Sequence, residues 1–592
     1  MLANAPRVSI LCTSRAPLGL AGEQLWPVAE LAEAVDLFVE RVRAHRPGYA
    51  PADGERAVIG DICRRLDGLP LVIELAAARA RSIHVSDLAE RLTRQFSLLA
   101  AARLASPARH ATLHAVVQWS YGLLDEHEKA LFDRLSVFSG AFGLTAVERV
   151  CADPQLVGAP QAASLLAALV DKSMVITVEH PAQSRYRVLE TLREFGAERL
   201  AERGETRLWL DRHARWCADL VQSQQDALLS EREPTAWDVL GAEWDNLRAA
   251  FSHALDSGQV DIYAPLAAGV GMHGFASNRC EVGEWAAAAI AAGMLAGWPE
   301  EVELHGIHGW WAYWVAADLP LAETVTRQWC DRPSQDRSGL CQFANFMARA
   351  VGAADRAAAD ALSAAWLAAL DLTPAARVLS QFVRAIYGVW FADPAVDAAA
   401  LTAAACRAAA RTGSPSLLAW ARFMQGAACV YTNPGAAQQA LQHAIELAGA
   451  LSAEHHVCVL AHHWLAVAAV LSADQPTALR RARAGLTEAK TLRIRTAAAV
   501  TLRAAALALA RAGRHRCAAL ALGAADATGH NGRSVQPLIT ETERLLRQAV
   551  GVETAALIDQ GRWLTLTAAI DAVNTELTDL IGQEAEPAQP KP

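Results

Sequence analysis

Apolar residues at helical spacing run through most of the chain. Within Ala32–Ala44, the side chains of Val35, Phe38, Val39 and Val42 fall on one face of a helix. The same kind of pattern continues along the next stretch, and we expect a small helical bundle over residues 29–105. The further helices of this bundle are predicted over Glu55–Leu66, Leu71–Arg81 and Val85–Leu99.

Residues 106–205 show a different order of elements. Helical patterns come first, and two short β-like runs, Met174–Glu179 and Arg185–Val188, follow them. A last helix, Glu190–Arg203, closes the segment. Helices followed by a hairpin predict a winged-helix domain. The helices before the hairpin are predicted over Thr112–Leu123, Glu126–Phe138, Thr145–Cys151 and Pro160–Lys172.

From residue 206 to residue 570, helical patterns alternate with turn signals. Many of these signals lie roughly 20 residues apart, so two helices and two turns repeat with a period of roughly 40. This period predicts an α-solenoid of TPR-like helix pairs. Residues 571–592 form the C-terminal end, and the polar, Pro-rich stretch Gly582–Pro592 is expected to be disordered. Clear turn signals are Asp371–Pro374, Thr412–Pro415, Asn433–Gly435 and Ala473–Pro476.

The first 28 residues are patterned as a buried strand and a loop. The apolar run Val8–Cys12 ends at Thr13, Ser14 and Arg15, and a Pro/Gly-rich loop follows. A polar tip on a buried strand is typical of α/β nucleotide-binding sheets, which need neighbouring parallel strands. No alternation of strands and helices follows, so we expect the chain to begin near the end of a domain whose first part is absent.

The composition adds limits on location and partners. Of 592 residues, 53% are hydrophobic and 20% charged, and the net charge of −9 gives no overall electrostatic signature of nucleic-acid or membrane binding. The 11 cysteines contain no CxxC pair, and no signal peptide or long apolar run is present. We expect a cytoplasmic protein that does not bind membranes.

The charges of the predicted winged helix bear on DNA binding. Its presumed recognition helix, Pro160–Lys172, has one cation, Lys172, and the predicted wing adds only Arg185 and Arg187. Residues 106–205 carry ten Lys or Arg against thirteen Asp or Glu. Because DNA binding depends on several phosphate-neutralising cations, a structural or protein-contact role is favoured. DNA binding stays open as an alternative.

The chain has only four lysines, so each can be checked for the sequence pattern of a phosphate-binding loop. None of Lys129, Lys172, Lys490 and Lys591 stands in a GxxxxGK[ST] pattern, and no acidic Walker B strand precedes Val8. We therefore predict no catalytic residues and no ATP hydrolysis by this chain alone.

Two clusters in the solenoid allow alternative interpretations. His455, Cys458 and His462 share a helical face, which suits either a metal or ordinary packing, and no metal is predicted. Trp310 and Trp314 lie one turn apart and suit either a ligand groove or the solenoid core.

Several stretches together resemble a known family. They are similar to the NB-ARC-type region of bacterial STAND NTPases, above all to the AfsR/LuxR-type regulators of actinobacteria, in which a helical repeat sensor follows. The stretches are ILCTSRAPLGLAGEQLWPV, ICRRLDGLPLVIELAAARAR, RHATLHAVVQWSYGLLDEHEKALFDRLSVFSGAFGLTAVERVC, LVDKSMV, RYRVLETLREFGAERL and EWDNLRAAF.

The resemblance implies vestigial nucleotide contacts. Arg15 corresponds to the sensor-1 arginine, which reads the γ-phosphate, and Gly68 and Pro70 belong to the GLPL motif, whose proline packs on the base. Glu190 takes the place of the Asp in a Met-His-Asp motif that senses the β-phosphate of ADP, while Leu189 replaces the His. Without the resemblance, Gly68 is explained as a glycine that ends one helix and Pro70 as a proline in the first turn of the next. Glu190 is explained as an acidic residue that the helix dipole favours in a first turn.

The predicted fold is mainly α: the remnant of an α/β NTPase edge (residues 1–28), a helical bundle (29–105), a winged helix (106–205) and the solenoid (206–570). The resemblance implies a signal-responsive regulatory or scaffold protein linked to transcription, whose repeats bind a protein or small-molecule effector. One alternative is an ATP-dependent STAND switch whose NTPase half is missing from this chain, since ATP or ADP is expected only with a complete NTPase domain. The other is a DNA-binding regulator that acts through the winged helix.

Overall fold

The structure, a computed structural model, resolves two compact units. The N-terminal unit is drawn from Met1–Val137 and Phe142–Thr206, and the repeat unit from Phe138–Ala141 and Arg207–Pro592. The residues that the structure describes are 33–51, 53–66, 70–80, 83–90, 117–180, 183–329, 335–336, 338–353, 355–391, 393–452, 455–492, 494–528 and 535–585. The predicted strand and loop of residues 1–28 and residues 586–592 of the predicted disordered tail lie outside them. Gly582–Ala585 belong to the last helix, Leu566–Ala585, so the disorder predicted for these four residues is wrong. The predicted domain boundaries stay predictions.

The N-terminal unit begins with the helices α1 (Ala34–His45), α2 (Asp53–Arg65) and α3 (Pro70–Arg79). α1 packs on both of the others, and its predicted apolar residues Phe38, Val39 and Val42 are buried. Residues 85–90 and 117–122 are also helical. The apolar face seen in the sequence is thus the face that this small group of helices buries.

The predicted winged helix is confirmed by the order and pairing of the elements that follow. β2 and β3 form the predicted hairpin, and the two-residue strand β1 adds to β3 with Phe142 opposite Tyr186, so the sheet order is β1-β3-β2. The sequence analysis missed β1. The elements are α4 (Glu126–Leu135), β1 (Phe142–Gly143), α5 (Leu144–Val150), α6 (Ala159–Asp171), β2 (Ile176–Val178), β3 (Arg185–Arg187) and α7 (Glu190–Glu202).

Helix α4 starts at this position because Asp125 and Glu128 form a capping box. The Asp125 side chain accepts from the backbone N–H groups of His127 and Glu128, and the Glu128 carboxylate accepts from the Asp125 N–H at 2.9 Å. The free N–H groups of the first turn are thereby satisfied. α4 then packs on α6 and α7 to form the centre of the domain.

The repeat unit is a solenoid of antiparallel helices, as the turn spacing predicts. Each of the helices from α18 to α25 packs on the next, and α18, α20, α22 and α24 also contact one another in sequence. The helices are α8 (Thr206–Gln224), α9 (Glu233–Ala242), α10 (Trp244–Asp256), α11 (Val260–Gly269), α12 (Gly271–Ala276), α13 (Glu281–Ala291), α14 (Glu301–Trp311), α15 (Leu319–Thr326), α16 (Leu340–Met347), α17 (Arg356–Ala368), α18 (Pro374–Phe391), α19 (Ala398–Thr412), α20 (Pro415–Cys429), α21 (Pro434–Gly449), α22 (His456–Leu471), α23 (Gln475–Thr491), α24 (Arg495–Arg511), α25 (His515–Asp526), α26 (Gln536–Val550), α27 (Thr554–Arg562) and α28 (Leu566–Ala585).

Small residues set how closely these helices approach. A Cβ atom on Gly523 would lie 1.9 Å from the Ile558 carbonyl oxygen, so α25 and α27 meet backbone to backbone. α24 is buried on all sides by its neighbours, and even Arg503 within it is fully buried, with its guanidinium 3.3 Å from Asp526. In the part of the chain that the structure describes, no helix is long and apolar enough to cross a membrane.

Residues about 180 positions apart meet within the repeat unit. Glu233 at the start of α9 accepts hydrogen bonds from the Ser414 hydroxyl at 2.7 Å and the Ser416 N–H at 3.0 Å. Asn278 lies 3.0 Å from Nδ1 of His456, and the Trp314 carbonyl accepts from Thr496 at 2.9 Å. The helices from α9 to α14 therefore lie against those from α20 to α24, and the space between them is filled with side chains.

Aromatic rings and histidines fill much of that space. Trp237 stacks on His455 with ring centroids 5.4 Å apart, and Phe275 stacks on Trp420 at the same distance. His273 and His456 are buried beside these rings. Burial lowers the pKa of His273 and His455 to about 3 and that of His456 well below its ordinary value, so all three are neutral.

Asn246, in the stretch EWDNLRAAF, is a buried hydrogen-bonding centre of the repeat unit. Its Oδ1 accepts from the N–H groups of Ser139 and Gly140, at 3.0 and 3.1 Å. Its Nδ2 donates to the Ala141 carbonyl at 3.0 Å and to Glu243 at 2.7 Å. The side chain thus satisfies the backbone of the segment Phe138–Ala141.

Replacing Asn246 by alanine should destabilise the repeat unit. Asn246→Ala leaves several buried polar groups without partners, so we expect the free energy of unfolding to fall by about 3 kcal/mol. Urea denaturation followed by tryptophan fluorescence measures the change. Asp245→Ala, which removes an exposed ion pair with Arg248, is the control and should cost less than about 1 kcal/mol. Equal stability of Asn246→Ala and the wild type would contradict the role of Asn246.

Buried histidines should make the repeat unit sensitive to acid. Their pKa values are depressed in the folded state, so below about pH 6.5 the unfolded chain binds more protons and stability falls with pH. Burial raises the pKa of Asp336 to about 8 and also raises that of Glu233, and these two groups offset part of the effect. The histidines are His213, His273, His455, His456 and His463.

We expect a loss of roughly 2 to 4 kcal/mol over the pH unit below 6, measured by urea denaturation at several pH values. His456→Phe should reduce the slope of the unfolding free energy against pH by the contribution of about one bound proton. The control is His443→Asn at an exposed position, which should leave the slope unchanged. A stability that rises from pH 6 to pH 5 would contradict the expectation.

Candidate functional site

A cavity lined by described residues lies inside the repeat unit. It has a volume of about 70 Å³, and seven segments contribute to its wall. Most of the wall is aromatic or aliphatic. The lining residues are Trp310, Tyr313, Trp314, Phe343, Met347, Phe382, Ile386, Trp420, Phe423, Ala427, Leu460, His463, Trp464, Thr496, Ala497 and Val500.

A short π-helical segment, Ala312–Ala316, places Tyr313 and Trp314 in the wall. α14 widens into it, and Ala317 ends it in a left-handed conformation with φ of 54°. The Asp318 N–H bonds to the Ala312 carbonyl, which leaves the Trp314 carbonyl to accept from Thr496. Single π-helical turns inside α-helices often occur at functional sites.

Stacked rings form two sides of the cavity. Trp310 and Trp314 are nearly parallel, with centroids 5.8 Å apart and 14° between their planes. Phe343 and Phe382 stack at 6.0 Å, and Phe343 also lies 5.0 Å from Trp310. Such walls leave room that suits a flat apolar group.

Two buried polar atoms in the cavity wall have no hydrogen-bond partner. They are Nε1 of Trp314 and Nε2 of His463, both on side chains that are more than nine-tenths buried. Buried polar atoms are nearly always paired, so these two lack a partner that such groups normally have.

The hydrogen bonds around His463 determine which of its nitrogens carries the proton. The Thr501 hydroxyl has one proton and donates it to the Ala497 carbonyl at 3.0 Å. Thr501 therefore accepts from Nδ1 of His463, with which it is in hydrogen-bond contact. Burial lowers the pKa of His463 to about 3, so the ring is neutral and its Nε2 is an acceptor.

The two clusters singled out from the sequence fall partly at this site. Trp310 and Trp314 are both buried, as the core interpretation predicts, and both line the cavity, while their role in ligand binding stays a prediction. The residues His455, Cys458 and His462 do not converge: His455 caps α22, Cys458 contacts the Ile445 carbonyl, and His462 pairs with Glu488 at 3.0 Å. Among the described residues, no group of three or more potential ligands could hold a metal.

Several cavity residues were not singled out from the sequence. Phe343, Phe382 and Trp420 come from three different helices, and Thr501 acts on the site only through His463. No local pattern distinguishes them from other apolar or small residues of the solenoid.

The winged helix presents a face without cations. The helix in the recognition position, α6, contains no Lys or Arg, and its exposed residues include Gln161, Ser164 and Asp171. Lys172, just after it, pairs with Glu128 of α4. Of the two wing arginines, Arg185 is buried and only Arg187 is exposed.

Of the four residues predicted as nucleotide contacts, two lie among the described residues. Arg15 and Gly68 lie outside the described residues. Pro70 is the first residue of α3, where its missing N–H costs nothing, and Glu190 begins α7 and forms two hydrogen bonds to Arg193, at 2.9 and 2.6 Å. Their role in nucleotide binding stays a prediction.

Comparison with known proteins bears on the winged helix first. A family model described as a winged helix-turn-helix domain matches residues 124–201. This range spans α4 to the end of the last helix of the domain, in agreement with the fold.

Relatives exist in mycobacteria. Proteins named "Putative HTH-type transcriptional regulator" in Mycobacterium bovis and Mycobacterium tuberculosis are 39% identical over 263 residues, which are 44% of this chain and 30% of theirs. An uncharacterized protein of Mycobacterium bovis is 39% identical over 216 residues, 36% of this chain and 55% of its own. The chain thus spans less than a third of the length of the first of these relatives.

A solved structure also aligns with the chain. It is a STAND protein with a tetratricopeptide repeat sensor from Pyrococcus horikoshii, with a TM-score of 0.45 and 13% identity over 90% of this chain and 74% of that one. The relatives and the domain match confirm the predicted winged helix and the regulator-type resemblance: this chain contains a winged helix-turn-helix domain and helical repeats, and it is similar to proteins named as HTH-type transcriptional regulators.

Proposed function

We propose that this chain is the sensing and responding part of a signal-dependent regulator of transcription. The repeat unit takes up a small-molecule effector in its aromatic cavity, and the winged-helix domain carries the response. The observation that carries this proposal is the cavity with its two unpaired polar atoms, Nε1 of Trp314 and Nε2 of His463. The similarity to proteins named as transcriptional regulators supports the link to transcription.

The position of the cavity favours a role in signalling. Its wall combines α14 and α16 with α22 and α24, which meet although they are distant in the chain. A molecule that binds there contacts both groups of helices and stabilises the arrangement in which they touch. Differential binding to one arrangement is what allows an effector to shift a conformational equilibrium.

The winged-helix domain acts in this proposal through protein contacts rather than DNA contacts. Its α6 has no cation, and Lys172 is engaged by Glu128. Non-specific DNA affinity comes chiefly from cations that neutralise phosphates, and this face does not supply them.

The proposal includes no catalytic step. Arg15, Gly68, Pro70 and Glu190 stay the predicted vestigial nucleotide contacts, and ATP or ADP would bind only where a complete NTPase domain accompanies them. A regulator of transcription acts on the chromosome, so the proposal includes a cytoplasmic location.

Transcript profiling tests the sensing role. Deleting the gene should change a defined set of transcripts, and the wild-type gene should restore them. Ala427→Leu adds three carbon atoms to the cavity wall and should fail to restore the effector-dependent part of the set. Ala410→Leu, an equal change at an exposed position of α19, should restore it fully. Identical profiles for the two variants would contradict the proposal, provided that both melt at the wild-type temperature.

DNA binding by this chain should be weak and only slightly dependent on salt. With Arg187 as the one exposed arginine of the wing, we expect the slope of log K against log salt concentration to stay shallower than about −2. Fluorescence anisotropy of labelled duplex DNA at several salt concentrations measures it.

A gain-of-charge variant provides the matched comparison. The combined changes Ala163→Arg, Ser164→Lys and Ala167→Arg on the exposed side of α6 should steepen the slope by about 0.9 for each phosphate contacted. The same three cations at exposed positions 410, 439 and 442 of the repeats control for net charge. A wild-type slope steeper than about −2, which Arg187→Ala makes shallower by about 0.9, would instead favour direct DNA binding.

A further inference from the structure

The chemistry of the cavity wall specifies which molecules it can hold. We infer that the cavity binds a small, uncharged, planar aromatic molecule that carries a hydrogen-bond donor for Nε2 of His463 and an acceptor for Nε1 of Trp314. The inference rests on the proposed function, because it specifies the effector of that cavity.

The size of the cavity limits the ligand to about one ring. Its volume of about 70 Å³ is roughly half that of an engineered apolar cavity of 150 Å³ that takes up benzene. A second cavity of about 30 Å³ shares Trp310 and Trp314 with the first one. A single six-membered ring is therefore the upper limit and enters only when the surrounding side chains move apart, whereas a nucleotide or a peptide segment does not fit.

The wall excludes charged ligands. None of the lining side chains carries a formal charge at neutral pH, since His463 is neutral and the others are apolar, aromatic or hydroxyl-bearing. A carboxylate or ammonium group would lose its hydration there without a counter-charge. The stacked pairs Trp310–Trp314 and Phe343–Phe382 favour a flat ring packed against them.

The polar atoms add a directional requirement. The indole Nε1 of Trp314 can only donate, and Nε2 of His463 can only accept because Thr501 fixes the proton on Nδ1. A purely apolar ring would leave both atoms unpaired. A ring with a hydroxyl or N–H group satisfies His463, and a lone pair on the same molecule satisfies Trp314.

The second cavity also has an unpartnered histidine nitrogen in its wall. Nδ1 of His456 lies 3.0 Å from Oδ1 of Asn278, which can only accept, so the proton is on Nδ1. Nε2 of His456 is left as an unpartnered acceptor in the wall of the smaller cavity. Both cavities around the Trp310–Trp314 pair thus present histidine acceptors to donor groups of a ligand.

Calorimetric titration of the full chain with phenol, anisole and toluene tests the inference. The three probes share one ring, but phenol has a donor and an acceptor, anisole only an acceptor, and toluene neither. We expect phenol to bind about tenfold more tightly than toluene, with anisole between them. Equal affinities for the three probes, or no binding of phenol, would overturn the inference.

Two variants assign the effect to the named atoms. His463→Phe keeps a planar ring but removes the acceptor, so phenol should fall to the affinity of anisole while toluene is unchanged or binds more tightly. Ala427→Leu should abolish binding of all three probes, and Ala410→Leu should leave it unchanged. If His463→Phe does not fold, the comparison of the three probes on the wild type still decides, because it needs no variant.

The outcomes separate this inference from the proposed function. If phenol does not bind but Ala427→Leu still abolishes the transcript response, the cavity is a sensor for a different class of molecule and only the inference fails. If phenol binds selectively but the transcript response of Ala427→Leu is normal, the ligand class stands and the regulatory role fails.

Discussion

Much of the repeat unit depends on contacts between helices that are about 180 residues apart in the chain. Glu233 with Ser414 and Ser416, Asn278 with His456, and Trp314 with Thr496 form one series of such contacts along the solenoid. In an open solenoid each repeat contacts only its neighbours. Here the helices from α9 to α14 also contact those from α20 to α24, and the inner surface becomes an interior.

An interior of this kind needs large side chains, because helices packed around it leave a wide gap. Tryptophan and phenylalanine fill the gap efficiently, and neutral histidines fill the remaining places while bonding to their neighbours. Space remains beside Trp310 and Trp314, where the cavity lies, and the polar atoms in its wall belong to indole and imidazole rings that line it.

The sequence predicted the elements better than the site. The helices of the winged helix and its hairpin follow from local periodicity, but β1 is only two residues long and has no periodic signal. The spacing of Trp310 and Trp314 identified a shared face, although not that space remains beside it. That depends on Phe343, Phe382 and His463, which reach the site from separate helices, and on Thr501, which fixes the proton of His463. The role of Asn246 also depends on a segment more than 100 residues earlier in the chain, which no local pattern encodes.

The π-helical segment Ala312–Ala316 gives the site an unusual genetic property. A π-turn contains one residue more than the α-helical turn that it replaces, and here it is the last turn of its helix, because Ala317 ends it in a left-handed conformation. Loss of a single codon within it changes where Trp314 stands relative to the cavity. One in-frame deletion therefore alters the cavity wall directly, at the end of a helix rather than in its middle.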